Sequence, residues 1–209
     1  MNCPLCRSDA QYSVATVKER PFFCCSGCDL VFVPPEYHLS VEKERARYAL
    51  HDNSFSNEGY VRFLSQVADI VEKVSVPKMK LLDFGCGEHA VLTAILRSRG
   101  MTCDAYDPLY DFPPLSAAAK YDGVIMCEVI EHCRDLTETL GIVYRLCDSR
   151  GIVVVRTQCR PDNGELSRWW YAQDPTHVNL FSRGSLEEVA IRLKRSLLTT
   201  EYPDVFLIR

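Results

Sequence analysis

The stretch Met79-Lys80-Leu81-Leu82-Asp83-Phe84-Gly85-Cys86-Gly87-Glu88-His89-Ala90 decides the fold. Met79, Leu81 and Leu82 form a short apolar run suited to a buried parallel strand. Two glycines follow at spacing two. Val91, Leu92, Ile95 and Leu96 then recur on one face of a helix that stops at Gly100. Strand, glycine turn, helix is the geometry that lets a backbone approach a nucleoside-bearing ligand closely. Taken alone, Gly85-Cys86-Gly87 also suits a plain connecting turn, so its surroundings must decide.

Downstream the pattern repeats. Thr102 to Tyr106 reads as a strand ending in Asp107-Pro108, about twenty residues after the glycine turn. A carboxylate at that place can accept hydrogen bonds from both hydroxyls of a ribose lying over the turn; an Asp-Pro turn initiator is the plainer alternative. Tyr121 to Cys127 is the next buried strand, and Leu136, Leu140, Val143 and Leu146 mark the next helix, with Gly151 as its stop. Ile152 to Val155 is too uniformly apolar and β-branched to be half exposed. Strands alternating with helices predict an α/β fold with a doubly wound, mostly parallel sheet. Ser185-x-x-Glu188 reads as a capping box before another helix. Two closing runs around Pro203-Asp204 predict a hairpin, hence an antiparallel edge.

Upstream, Ser40 is a good N-cap for a charged helix over Val41 to Leu50. A strongly periodic helix follows from Asn57 to Val74, with Pro77 as its stop. The chain opens with Cys3-Pro4-Leu5-Cys6 and, eighteen residues later, Cys25-Ser26-Gly27-Cys28. This spacing fits two knuckles closing a tetrahedral site of four thiolates, Cys3, Cys6, Cys25 and Cys28, around a structural Zn2+. Cys24 is an alternative to Cys25; Cys25 makes both knuckles alike. Pro34-Pro35 ends this module. The expected organisation is a zinc ribbon over 1–36, a helical lead-in or lid over 37–76, and a ligand-binding domain over 77–209.

A chain of 209 residues can bury a full core. Its net charge of -4 gives no basic footprint, which disfavours nucleic acid or an anionic membrane as the main partner. No apolar segment approaches the ~18 residues that span a bilayer. Eleven cysteines without an apparent signal peptide point to thiols and metal ligands in a reducing compartment, so a cytoplasmic location is expected.

Together these residues resemble a class I S-adenosylmethionine-dependent methyltransferase. Leu82-Asp83-Phe84-Gly85-Cys86-Gly87 looks like that family's first motif, Asp107 like its ribose-binding acid, and Cys127-Glu128-Val129-Ile130-Glu131-His132 like the segment after its fourth strand. The terminal hairpin matches its reversed last strand. The resemblance covers residues 40–209 and implies a seven-stranded sheet. It places Asp83, Phe84, Gly85, Cys86 and Gly87 at the methionine part of S-adenosylmethionine, and Asp107 and Pro108 at its ribose and adenine. Cys127 and Glu128 would lie beside the sulfonium. The chain departs from the pattern at His89, where the family usually has a third glycine. A side chain there would crowd or contact the cofactor's amino-acid tail. Zinc modules precede such domains in some sugar C-methyltransferases and some ribosomal RNA guanine methyltransferases.

Methyl transfer from a sulfonium is an in-line displacement, so the protein's task is mainly alignment, with a base where the acceptor must lose a proton. His177, in the aromatic loop over 160–179, is the first candidate base, with Asp174 near enough in sequence to orient it. His132 is the second. Tyr171, Trp169 and Trp170 are candidate walls of an acceptor pocket, with Asp174 beside them; at least one tryptophan is expected instead as a cover packed on the core. The favoured acceptor is a small molecule or metabolite. RNA, docked by the ribbon, is the second reading, and a non-catalytic interaction module the third.

Overall fold

The computed structural model describes residues 1–116 and 118–209. The chain opens with β1 (Gln11–Val17), β2 (Arg20–Cys25) and β3 (Val31–Phe32), then α1 (Val41–Tyr48) and α2 (Glu58–Val74). The alternating part is β4 (Lys80–Phe84), α3 (Val91–Ser98), β5 (Thr102–Tyr106), β6 (Tyr121–Cys127), α4 (Leu136–Leu146) and β7 (Cys147–Arg156). It closes with α5 (Trp170–Gln173), β8 (Asn179–Leu180), α6 (Arg183–Arg192), β9 (Leu197–Thr199) and β10 (Val205–Ile208).

The main sheet has the order β5-β4-β6-β7-β10-β9. β5, β4, β6 and β7 are parallel; β10 enters antiparallel between β7 and β9. Mixed α/β with a mostly parallel sheet is therefore as expected, including the reversed last strand. The strand count differs: among the described residues six strands form this sheet, where seven were expected. Among the described residues, the stretch between Asp107 and Tyr121 contributes no strand. Pro108, Pro113 and Pro114 lie in it, and each lacks the backbone N–H that a sheet ladder needs.

Both faces of the sheet are covered, which is why its strands read as unbroken apolar runs. Val153, Val154 and Val155 are fully buried, Val153 and Val155 in one cluster with Leu140 and Leu186, Val154 in another with Val67 and Leu92. Burying each such side chain contributes about 1.5–3 kcal/mol. The last helix begins earlier than its expected capping box: Ser182, not Ser185, is the N-cap, and the reciprocal pair is Ser182 with Ser185. β7 likewise starts at Cys147 and runs through Gly151. A Cβ on Gly151 would lie 2.8 Å from Cys147 Sγ and 2.9 Å from the Asp122 carbonyl, so close packing and not helix termination requires glycine there.

The second sheet has the order β1-β2-β3-β8. Its first three strands come from the cysteine-rich segment, and β8 is supplied from the region after β7. Cys3, Leu5, Leu30 and Phe32 pack in the same apolar cluster as Val153, Val155 and Phe206. α1 differs from the other helices: its one buried residue is Glu44, and polar contacts hold it in place. No helix among the described residues is long and apolar enough to cross a membrane.

Candidate active site

The glycine turn sits where β4 ends. Gly85 and Gly87 have φ of +79° and +68°, a region L side chains rarely adopt. The two glycines do different things. A Cβ on Gly85 would lie 2.5 Å from Val129 Cγ2, so Gly85 lets the turn close on the segment after β6. A Cβ on Gly87 would meet nothing within 4 Å, so Gly87 borders open space. The Gly85 and Cys86 N–H groups donate to the Tyr106 carbonyl, at 2.7 and 3.2 Å, tying the turn to the end of β5. One residue on, Asp107 accepts from the Gly87 N–H with Oδ2 (3.0 Å) and from the Leu109 N–H with Oδ1 (2.8 Å). A carboxylate held by two backbone amides thus lies beside the open space at Gly87, an acceptor for hydroxyl groups with room next to it.

The expected cofactor residues fall into two groups. Asp83 is fully inside the protein, and its Oδ2 accepts from the Thr93 hydroxyl of α3 at 2.7 Å. Burial raises its carboxyl to about 6 against the pull of that hydrogen bond. Phe84 is buried against Tyr106, ring centroids 5.4 Å apart, and Cys86 is also buried. These three build the floor. Gly87, Cys127 and Glu128 are half-buried, Asp107 is buried and Pro108 is exposed, all just past the carboxyl ends of β4, β5 and β6 or at them. His89 is exposed.

Glu128 follows β6 with φ +54°, and its N–H donates to the Arg156 carbonyl at the end of β7 (2.9 Å). Its Oε2 accepts from the Tyr171 hydroxyl at 3.2 Å, while Oε1 is buried without a partner. The same Tyr171 hydroxyl donates to Glu131 in a very short bond and lies 3.2 Å from the Thr157 hydroxyl. Burial raises both carboxyls above their usual range, Glu128 further through the charge of Glu131. His177 and His132 close the cluster. Their rings are 4.6 Å apart, and Tyr171 is 3.9 Å from His177. Burial lowers His177 to about 4 and His132 to about 3.

Three expectations change here. The Asp174 carboxylate does not orient the His177 ring: His177 Nδ1 donates to the Tyr171 carbonyl (2.7 Å), and Asp174 accepts from Thr176 and from Arg47 of α1 (2.7 Å). Tyr171 is buried, so it reaches the site through its hydroxyl and not as a pocket wall. Trp170 is 66% exposed and points to solvent, leaving Trp169 as the half-buried cover.

An open recess of about 430 Å³ lies beside this cluster, lined by Gln66, Arg156, Gln158, Cys159, Tyr202, Pro203 and Asp204. None of Tyr171, Trp170 or Asp174 lines it. Arg156 and Asp204 form a buried ion pair at 2.7 Å, and Arg156 also donates to Gln66 of α2 at 2.8 Å. α1 bridges the cleft from one side to the other. Arg45 donates to the Leu109 carbonyl in a very short bond, and Arg47 pairs with Asp174. Sequence spacing carried no sign of these contacts, because their partners lie far apart along the chain.

The four thiols meet as the spacing predicted. Cys3 Sγ lies 3.6 Å from Cys28 Sγ, and Cys6 Sγ 3.4 Å from Cys25 Sγ, separations close to those of thiolates sharing one tetrahedral ion. Cys24 points away, its Sγ 3.5 Å from Asp29 Oδ1.

Residues 57–192 match the family model for a methyltransferase domain. The chain belongs to that family. The match spans about two thirds of the chain, from α2 to α6. An O-methyltransferase family protein from Burkholderia thailandensis is similar with a TM-score of 0.56 at 16% identity, over 79% of this chain and 59% of that one. Magnesium protoporphyrin IX methyltransferase from Synechocystis PCC 6803, solved with bound SAH, gives 0.52 at 16% identity, over 83% and 95%. LaPhzM gives 0.54 at 16% identity, over 81% and 61%. At such identities the likeness is one of fold, and this chain spans only 59% of the first of these proteins. No curated protein matches the sequence.

Proposed function

We propose that this methyltransferase moves a methyl group from S-adenosylmethionine to a small polar acceptor, with a structural zinc ion in the ribbon. The observation that carries the reading is the Asp107 clamp beside the open space at Gly87, one strand away from Glu128 and its unpartnered Oε1. Bound there, S-adenosylmethionine supplies an electrophilic methyl on a sulfonium. Asp107 holds the ribose hydroxyls, the Gly85–Gly87 backbone leaves room for the methionine part, and Cys127 and Glu128 border the sulfonium side. The recess beside Arg156 and Gln158 receives the acceptor; its polar lining suits a metabolite carrying several oxygens. The net charge of -4 favours such an acceptor over RNA.

Where the acceptor must lose a proton, His177 is the candidate base through the Nε2 that its bond to the Tyr171 carbonyl leaves free, although the side chain is buried and does not line the recess. Residues 1–36 act as the zinc ribbon, 37–76 as the lid and 77–209 as the cofactor-binding domain. The closing of α1 across Leu109 and Asp174 keeps water from the sulfonium.

Calorimetric titration with S-adenosylmethionine tests the reading. The wild type should bind, and Asp107→Asn should weaken binding about 10–100-fold, the loss of one to two charge-assisted hydrogen bonds. No heat and no thermal shift at millimolar cofactor would overturn it in favour of a non-catalytic module. His177→Ala should lower turnover while leaving cofactor affinity near wild type.

A further inference from the structure

Glu131, His132 and His177 each offer one ligand-type atom within 4.8 Å of the other two. They arrive from two directions: Glu131 and His132 from the 3-10 turn after β6, His177 from the loop after α5. The proton positions on both rings follow from their partners. His132 Nδ1 donates to the Thr176 carbonyl (3.2 Å) and His177 Nδ1 to the Tyr171 carbonyl (2.7 Å). A carbonyl can only accept, so Nδ1 carries the proton and Nε2 is left as a lone pair. Neither Nε2 makes a hydrogen bond among the described residues.

Glu131 adds an independent observation. It is fully buried; one oxygen receives the Tyr171 hydroxyl and the other, Oε2, has no partner. A buried carboxylate oxygen left bare is costly, because it has given up water and received no donor in exchange. The cluster thus brings together two imidazoles, each held at Nδ1 by a carbonyl with its Nε2 lone pair left free, and a carboxylate with one oxygen without a partner. That second ring of hydrogen bonds is how metal-binding histidines are oriented.

We propose that Glu131, His132 and His177 form a second metal site, separate from the four thiolates, that takes a divalent transition cation such as Zn2+, Co2+ or Fe2+. Two nitrogen donors set the class, since Mg2+ and Ca2+ prefer oxygen-only shells. Three protein ligands leave coordination positions open, as catalytic sites do and closed structural sites do not. Bringing three donors to ~2.1 Å from one ion contracts their separations by about an ångström, which side-chain torsions supply. Proton and cation compete for the same lone pairs, so the base role proposed above for His177 belongs to the metal-free cluster and a bound ion would replace it. The site rests on this geometry and not on the choice of base.

Cobalt loading of the full chain tests it. The wild type should bind two ions by metal analysis, one with intense sulfur-to-cobalt charge-transfer absorption and one with weak bands of nitrogen and oxygen ligands. His132→Gln and His177→Gln should each lower affinity for the second ion at least tenfold and leave the thiolate absorption unchanged. That absorption also reports that the ribbon is folded in each variant. One ion per chain in the wild type at millimolar cobalt would overturn the proposal, as would a second ion indifferent to both substitutions. Either outcome leaves the base reading standing, because that reading is judged by turnover of His177→Ala at unchanged metal content.

Discussion

Replacing Arg20 with methionine should loosen the loop that carries His177, by an amount the contacts define. Arg20 begins β2 and is 7% exposed. Its guanidinium donates to the carbonyls of Ala172 (2.7 Å), Asp174 (2.9 Å), His177 (3.0 Å) and Pro175 (3.2 Å). No carboxylate pairs with it among the described residues, and burial lowers its pKa. Met keeps an apolar stem of similar length but removes every donor, together with the guanidinium that lies 5.3 Å over the Phe22 ring. Asp174 O retains the His177 N–H (3.2 Å), so three carbonyls lose their partner. Each is worth about 1.5–3 kcal/mol as a bond to a charged group. Against that gross loss of roughly 5–9 kcal/mol stands the relief of several kcal/mol from no longer burying a cation. The expected net loss is about 2–4 kcal/mol, a fall in urea midpoint of about 1–2 M for a slope near 2 kcal/mol/M. Arg20→Lys should fall between, because one ammonium reaches fewer of four spread acceptors. Hydrogen exchange at residues 172–178 should speed up in both variants. A midpoint within 0.3 M of wild type for Arg20→Met, at unchanged slope, would refute the view that this side chain holds the loop.

Other outcomes follow from the same geometry. Gly85→Ala should cost about 2–4 kcal/mol of stability, since its Cβ meets Val129 at 2.5 Å; Gly87→Ala should cost about 1 kcal/mol and act mainly on cofactor affinity, read by denaturation and calorimetry together. Asp83→Asn changes the pH dependence of stability. The wild-type carboxyl holds its proton to about 6 when folded but loses it near 3.8 when unfolded, so stability drops as pH rises from 4 to 6. The variant should lack that drop, worth up to about 3 kcal/mol, and an identical pH profile would remove Asp83 as its source. Cys25→Ser should abolish thiolate-bound metal and lower the melting temperature, whereas Cys24→Ser should retain the metal; the reverse result would exchange the two as ligands.

Much of this molecule was legible because the informative patterns were local. The glycine turn, the acid one unit later and the valine-rich β7 each sit within a few residues of what they define, and fully buried strands cannot hide their composition. The cysteines were legible because two thiolates on one tight turn fix their own spacing. What escaped depends on tertiary approach. Gln66, Arg156, Gln158 and Asp204 line one recess from three separate elements, and nothing in their local sequence marks them as neighbours. The Asp174–His177 pairing failed for a related reason: a loop histidine found a closer acceptor in the Tyr171 carbonyl, and Asp174 was captured by Arg47 of α1. Ser185 lost the cap because Ser182 places the same hydroxyl one turn earlier.

The cysteine-rich segment is more than an attachment, and the reason lies in where its hydrogen bonds go. β8 completes its sheet by pairing with β3, and Arg20 of β2 gathers the carbonyls of the loop just before β8. The loop that presents His177 therefore leans on the cysteine-rich segment for the carbonyls of Ala172, Pro175 and His177, while those of Tyr171 and Thr176 accept from His177 and His132. Ordering that loop and ordering the ribbon become one cooperative event, and ribbon folding in turn depends on whatever the four thiols bind. Loss of the thiolate-bound ion should thus reach the acceptor side of the cleft before it reaches the Asp107 clamp, which is built wholly from β4, β5 and their turns. Metal removal that weakens S-adenosylmethionine binding as much as turnover would contradict this separation.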